Sequence, residues 1–412
     1  MKVGERVRET TIGRSVWRTP PGSTPRERAA RHWGSFLLHL YPVKVRRSEL
    51  KLKATWFMGV VAIALMLSLI VSGIYLMFFY VPHPTTAYGN IQDIQTTVGF
   101  GQFIRNVHRW SAHLMVLVVG IHMAKVFYRG AYKPPREFNW VIGVMLLMTT
   151  LLMSFTGYLL PWDQLAYWAI TVGASMAGFV PYVGDTVQEV LLGGPVVGGA
   201  TLLRFYVLHV AVLPTVMVSL VVIHLWRWRK DRMFSDGAGP TPTAPVSLDG
   251  HRVLGIVPGV PGVGERKVPL DDDEVLTSPH LLIRHAVASL VALLIVLALA
   301  LSFDAPLRAI ANPNETPNPE KAPWYFAGLQ ELLSHLHPLV AGILVPATLA
   351  LGLLSVPYLD RNPEKALERR RVAVWTFSLL LIGWIILTLI GFAFRGPGWR
   401  WVWPWDEWHG EL

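Results

Sequence analysis

No cysteine occurs among the 412 residues. Disulfides, thiolate metal sites and thioether-linked cofactors on this chain are excluded by that absence. Apart from methionine, histidine is the softest metal ligand left. Charge is scarce too: Asp, Glu, Lys and Arg make up 16% of the chain, against roughly 25% in an average soluble domain. No cleavable signal sequence is expected, because residues 1–54 are polar and basic ahead of the first apolar run.

What takes the place of charge is long apolar sequence. The chain is 52% hydrophobic, with a mean hydropathy of +0.40. Runs at 55–81, 105–128, 138–160, 203–228, 281–303, 332–356 and 372–394 reach the ~20 residues that a spanning helix needs. The fold class expected is an all-α polytopic membrane protein of seven transmembrane helices.

The net charge of +10 would suit a nucleic-acid partner, but its distribution excludes one. Thirteen Lys and Arg fall in 1–53, three in 129–137, seven in 227–280 and five in 359–371. The alternate loops 82–104 and 161–203 hold none, and 304–331 holds only Arg308 and Lys321. Every second connection is basic, as the positive-inside rule requires. The charge sets topology, and the N-terminus is expected in the cytoplasm of a bacterial-type cell, with the chain crossing its inner membrane several times.

Five segments follow. Residues 1–54 form a cytoplasmic N-terminal segment, with an amphipathic surface helix expected at 26–47, ended by Pro42. Residues 55–228 make a four-helix module, 229–280 a Gly/Pro-rich cytoplasmic linker, 281–394 a three-helix module and 395–412 an aromatic tail. The loop at 161–203 is too apolar for an aqueous loop and too broken by Gly and Pro to span. Short helices at the outer interface are expected there.

The second apolar run, RNVHRWSAHLMVLVVGIHMAKVFYRG, carries His108, His113 and His122. Imidazoles in hydrocarbon are costly unless something binds them. His108 and His122 are fourteen residues apart, and His209 and His224 in the fourth run are fifteen apart. At 100° per residue these offsets are about −40° and about +60°, so each pair shares a face, with a separation of about 21–22 Å. Helices two and four run in the same direction, so His108 can face His209 and His122 can face His224. Two facing imidazoles make an axial pair for haem iron with no open coordination site. Two such centres, stacked, carry electrons across a bilayer. The first four helices are therefore expected to form a di-haem four-helix bundle.

Gly59 and Gly73 in helix one, and Gly143 and Gly157 in helix three, repeat the fourteen-residue spacing. Glycine allows close approach to the backbone, and a macrocycle needs that clearance at the heights of the histidines. His113, about 140° round the helix from His108, cannot serve the same ring and is taken as structural. Arg105, Arg204 and Lys125 lie near ligand positions and are candidates for pairing with haem propionates.

With these residues in view, RNVHRWSAH, KPPREFNWVIG, TGYLLPWDQLAYWA and TLLRFYVLHVAVLP resemble cytochrome b of the Rieske–cytochrome b complexes, the quinol:cytochrome c and quinol:plastocyanin oxidoreductases. The likeness covers nearly all of residues 26–394 and is most specific in helices one to four. The fifteen-residue spacing and the WDQ after Pro161 are similar to the photosynthetic branch. There the four-helix and three-helix modules are separate chains; here they are fused through the 229–280 linker. That branch also attaches an extra haem through a cysteine at the position of Phe57, which this chain cannot do.

The resemblance implies two non-covalent b-type haems, quinol oxidation at the outer face and quinone reduction at the inner face, coupled to proton translocation. One electron would pass to a Rieske iron–sulfur protein and on to a c-type cytochrome or equivalent acceptor. The other would cross the bilayer through the haems, and the complex would be a homodimer. The family's Pro-Glu-Trp-Tyr motif reads Ala322-Pro323-Trp324-Tyr325 here. Trp324 and Tyr325 are thus the expected catalytic positions, and the usual carboxylate is missing. Glu331 is the expected substitute proton acceptor, with Glu320 and Asp163 as further candidates. Arg284, His280 and His285 are candidates for contact with quinone at the inner site. Two other functions remain open on the sequence: a non-bifurcating di-haem membrane anchor, and a transporter relaying protons along its histidines.

Overall fold

The computed structural model of the protein describes residues 41–42, 44–52, 56–230 and 274–406. Most of the expected surface helix at 26–47 and of the linker at 229–280 lies outside the described residues, as do 407–412.

Among the described residues seven helices are long and apolar enough to cross a membrane: Met58–Met77, Gly101–Tyr128, Glu137–Tyr158, Gly199–Lys230, Thr277–Ser302, Leu339–Leu359 and Arg371–Ala393. In chain order the helices are α1 (Met58–Met77), α2 (Ala87–Thr96), α3 (Gly101–Tyr128), α4 (Glu137–Tyr158), α5 (Gln164–Gly178), α6 (Gly184–Leu192), α7 (Gly199–Lys230), α8 (Thr277–Ser302), α9 (Trp324–Leu333), α10 (Leu339–Leu359) and α11 (Arg371–Ala393). The helix expected at 332–356 is displaced toward the C-terminus. Residues 324–333 form the separate α9, and α10 begins directly after Pro338, because proline is tolerated at a helix start and not in its interior.

The chain divides into two compact units, Phe57–Arg227 with Ala288–Leu412, and Met1–Trp56 with Trp228–Val287. In the second, Lys44–Arg46 and Glu274–Leu276 pair as a short antiparallel ribbon, Val45 opposite Val275. In the first, large apolar side chains such as Val71, Leu294, Trp375 and Leu379 are exposed on the helices. This is the pattern of a lipid-facing surface. Polar side chains inside the spans satisfy themselves locally. On α4, Thr149, Thr150 and Thr156 each donate to the carbonyl four residues back, at 2.8, 2.8 and 2.9 Å.

The buried core of this unit comes in three clusters. One gathers Tyr80, Ile94, Leu159, Trp162, Ala166 and Phe205. A second holds Leu65, Met66, Met115, Met217 and Val296, and a third Phe127, Tyr132, Trp140, Val144 and Phe377. The second falls midway along the helices: Met115 lies between His108 and His122 in the chain, and Met217 between His209 and His224.

Polar contacts tie the first four helices to the last three at both ends. Arg370, 2% exposed, donates to the Tyr132 hydroxyl at 2.9 Å and to the Tyr128 carbonyl at 2.9 Å. Beside it Lys133 pairs with Asp360 at 2.8 Å. At the other end the Asn106 amide donates to Ala300 O and Asp304 Oδ1 and accepts from Ala305 N, all at 2.8–2.9 Å.

Candidate functional site

α1, α3, α4 and α7 bring the four histidines and four glycines together in matched sets. The rings of His108 and His209 face each other with centroids 6.3 Å apart and planes at 70°. A β-carbon placed on Gly73 would meet His108 Cε1 at 3.2 Å, and one on Gly157 would meet His209 Cε1 at 2.4 Å. At the other level stand His122, on α3, and His224, on α7. There a β-carbon on Gly59 would lie 3.7 Å from His122 Cε1, and one on Gly143 would lie 3.5 Å from His224 Cε1. Each glycine thus makes room first for an imidazole, where the spacing had suggested room for a macrocycle.

Hydrogen bonds set the tautomers at the first level. The Ser72 hydroxyl donates its one proton to Ser68 O at 2.6 Å, so its contact with His108 Nδ1 at 2.9 Å has the imidazole as donor. His209 Nδ1 lies 3.1 Å from Met153 O, an acceptor only. Both rings therefore carry their proton on Nδ1 and keep the Nε2 lone pair. At the second level His224 Nδ1 is buried with no hydrogen bond from or to it among the described residues, as is Asn139 Oδ1 on α4. At the first level, two facing imidazoles with Nε2 lone pairs and ring centroids 6.3 Å apart fit the axial positions of a haem.

The fifteen-residue spacing has a structural explanation that periodicity alone did not reveal. Residues Leu208–Val212, which include His209, form a π-helical turn, with Leu213 N–H bonded to Leu208 O. A π turn accommodates one extra residue, so fifteen residues here do the work of fourteen in α3, and both offsets come to about −40°. The cause is Pro214, which lacks an N–H and would clash with a carbonyl one α-turn back. The same arrangement recurs in α10, where the π turn Leu339–Leu344 is followed by Val345 and Pro346.

Two of the three basic candidates are hydrogen-bonded to backbone carbonyls. Arg105, 7% exposed, is drawn onto the chain after α8, donating to Ala305 O at 2.5 Å and Pro306 O at 2.8 Å. Arg204 donates to Val190 O at the end of α6. Lys125 lies in the last turn of α3.

The segment between α8 and α9 folds over the start of α5. Gln164 N donates to Ala309 O at 2.8 Å and Asn312 N to Gln164 Oε1 at 2.6 Å. Asp163 caps α5, accepting from Ala166 N at 2.9 Å and from Arg308 N at 3.0 Å. Burial raises its carboxyl above the usual range, against those two bonds and the positive charges of Arg105 and Arg109. Trp324 and Tyr325 open α9, their rings 5.4 Å apart. Burial pushes the Tyr325 hydroxyl up to about 12, so it stays protonated at neutral pH.

Glu331 does not fit the part of proton acceptor. Its side chain is 1% exposed and paired with Arg395. Arg395 Nε donates to Oε2 at 2.9 Å, and Trp399 Nε1 donates to Oε2 at 3.0 Å. Burial works to raise its pKa, but the bonds from Arg395, His335 and Trp399 outweigh it and hold the carboxyl below the usual range. An anion so paired anchors the C-terminal turn and has little affinity for a proton. The partner that decides this is 64 residues away in sequence, and no local signal marked it.

Glu320 is placed differently. Burial, followed by the nearby Asp163 charge, raises its carboxyl to about 7, with Arg308 opposing. Gln330 holds the backbone here, donating to Glu320 O at 2.6 Å and accepting from Ala322 N at 2.7 Å. No described residue donates a hydrogen bond to the Glu320 carboxylate.

Seven apolar helices carrying two levels of facing imidazoles define an integral membrane protein built to hold a planar cofactor within its bundle. Comparison with known proteins agrees. The family model described as "Cytochrome b/b6/petB" matches residues 44–232, and that for "Cytochrome b(C-terminal)/b6/petD" matches residues 310–402. Cytochrome b of Cereibacter sphaeroides is 30% identical over 82% of this chain and 76% of its own length. Cytochrome b6 of Heliomicrobium gestii is 48% identical over 37% of this chain and 72% of its own. The menaquinol:cytochrome c reductase cytochrome b subunit of Geobacillus thermodenitrificans is 41% identical over 39% of this chain and 72% of its own. A solved structure titled "Hyperthermophilic respiratory Complex III" shares the fold, with a TM-score of 0.71 at 24% identity, covering 94% of this chain and 91% of that one. The chain belongs to the cytochrome b family and joins its N-terminal and C-terminal segments in one polypeptide. The family implies b-type haem and interaction with quinone.

Proposed function

We propose that this chain is the membrane core of a quinol:cytochrome c oxidoreductase-type complex, holding two b-type haems by bis-histidine ligation. His108 and His209 would hold the haem near the outer face, and His122 and His224 the one near the inner face. The observation that carries this is the pairing of each histidine with its own glycine at two levels, Gly73 and Gly157 at one and Gly59 and Gly143 at the other. When bound, the haems supply one-electron transfer across the bilayer.

The chain's own residues orient and insulate. Ser72 and the Met153 carbonyl hold the His108 and His209 rings by Nδ1, leaving Nε2 of each as the nitrogen that would ligate a haem iron. The apolar layer of Leu65, Met115 and Met217 separates the two levels and keeps water out. Quinol would be oxidised at the outer face beside Trp324 and Tyr325. It gives up two electrons and two protons: one electron goes to a Rieske iron–sulfur protein and one inward to a quinone-reducing site, and both protons pass, by way of the proton acceptor, to the outer aqueous phase. A c-type cytochrome or equivalent acceptor would receive the outward electron, and the complex would be dimeric, so the chain alone should be inactive. Glu320 takes the place of Glu331 as proton acceptor: its carboxylate is not ion-paired by a bidentate arginine and titrates near neutrality. The basic 1–54 and 229–280 segments support an N-terminus on the cytoplasmic side of a bacterial-type inner membrane.

The test is a redox-titrated difference spectrum of the purified complex with haem counted per chain. Two b-type haems at separate potentials are expected. One haem or none overturns the four-histidine scheme, and a complex without a Rieske cluster overturns bifurcation.

A further inference from the structure

α3 carries a third histidine that the haem scheme leaves unused. His113 is five residues beyond His108, about 140° round the helix, and its ring turns toward α9. There Trp324 Nε1 donates to His113 Nδ1 at 3.0 Å. An indole nitrogen can only donate, so the direction of this bond is settled and Nδ1 holds a lone pair. A neutral imidazole has one N–H, and here it must be on Nε2. Protonating Nδ1 would set one N–H against another.

The ring is held as firmly as its tautomer. Trp110 flanks it at 5.6 Å and Tyr325 at 5.7 Å. Phe326 stands 4.9 Å from Tyr325 and 6.0 Å from Phe155, extending an aromatic wall that suits a planar ring. The His113 ring is half-buried, and Nε2 makes no hydrogen bond with any described residue. A fixed donor without an acceptor, inside an aromatic enclosure, is arranged for an oxygen that arrives with a ligand.

We propose that His113 is a substrate-binding residue of the outer quinol site, presenting Nε2–H to an oxygen of the quinol ring. It rests on reading the Trp324–Tyr325 segment as part of that site. The donor serves both ends of the reaction, since a quinol hydroxyl and a quinone carbonyl each offer oxygen lone pairs. It also stabilises negative charge on that oxygen as its proton leaves. His113 does not take the proton: Nε2 already carries one and Nδ1 is occupied by Trp324. Binding and proton transfer fall to different groups.

The experiment is a double-mutant cycle on the purified complex with a soluble quinol, haem content checked for every variant. His113→Leu is expected to raise KM about tenfold, and His113→Gln, whose amide accepts from Trp324 and donates outward, to remain within about threefold of wild type. Because Gln would also rescue a purely structural role, the deciding measurement is His113→Leu in a Trp324→Phe background. A further rise in KM there supports binding. No further rise means that His113 only holds Trp324, and overturns the proposal. Should the Leu variants fail to load haem, the bound quinone's carbonyl stretch in His113→Asn decides, because the shorter amide accepts from Trp324 without reaching the quinone oxygen. A band shifted from wild type supports contact, and an unmoved band overturns it. A wild-type complex that holds both haems yet oxidises no quinol would overturn the outer-site reading itself, and this inference with it.

Discussion

Gly157 and His209 stand so close that a β-carbon on the glycine would lie 2.4 Å from Cε1 and 3.0 Å from both ring nitrogens. No real side chain tolerates that distance, so alanine at 157 must displace the imidazole. The same construction gives 3.2 Å at Gly73, 3.5 Å at Gly143 and 3.7 Å at Gly59.

A graded outcome follows for the four alanine variants. Gly157→Ala should lose most of the haem near His209, Gly73→Ala part of its occupancy, and Gly143→Ala and Gly59→Ala little. Overpacking of this kind costs about 1–3 kcal/mol. Haem-to-protein ratio by difference spectroscopy reads the order, and equal retention in all four would contradict it.

The Glu331–Arg395 pair should govern stability. Removing one partner of a buried ion pair costs about 3–5 kcal/mol, so Arg395→Leu should melt well below wild type in detergent. The Glu331 carboxyl is held below its unfolded value. Its contribution is therefore present above the unfolded pKa of about 4.3 and fades as pH falls through the folded one. A melting temperature that does not change between pH 7 and pH 3 in wild type alone, once Arg395→Leu is subtracted, would argue against the pair.

Glu320→Gln should slow quinol oxidation by about a hundredfold, the lower end of what a positioned proton acceptor contributes, with both haems retained. Wild-type turnover should rise as pH passes upward through about 7, where the Glu320 carboxylate becomes free to accept. The groups facing it are Asp163, Arg308 and Tyr158, and only the glutamate change should flatten that limb. An unaltered pH profile in the variant would transfer the role to Asp163.

The π turn makes a prediction of its own. Deleting Ala211 together with Pro214→Ala should convert the turn to regular α-helix and shorten the His209–His224 spacing to the fourteen of α3. Both haems should then be kept. Deleting Ala211 and keeping Pro214 leaves the proline clash inside an α-helix, worth about 3 kcal/mol, and should cost haem at the His209 level.

What could be read in the sequence was what depends on periodicity. Apolar runs of bilayer length fix which segments span. A fourteen-residue repeat of His108 with His122, Gly59 with Gly73 and Gly143 with Gly157 fixes which residues share a face, because helix geometry is local and regular. The fifteen-residue spacing was legible only as a near match, since a π turn leaves no trace in the pattern beyond the proline after it.

The rest was decided by contacts that no local pattern encodes. Glu331 looked like a proton acceptor because it follows Trp324 and Tyr325 closely, but its character is set by Arg395, brought against it by the fold. Glu320 owes its raised pKa to burial and to Asp163, more than 150 residues earlier in the chain. The His113 ring is held by Trp324, 211 residues away, a contact that no local pattern marks. Helical period assigns a residue to a face. Its charge state, tautomer and task depend on the groups that the tertiary fold sets opposite it, because hydrogen bonds and desolvation act over a few ångströms of space, whatever the distance along the chain.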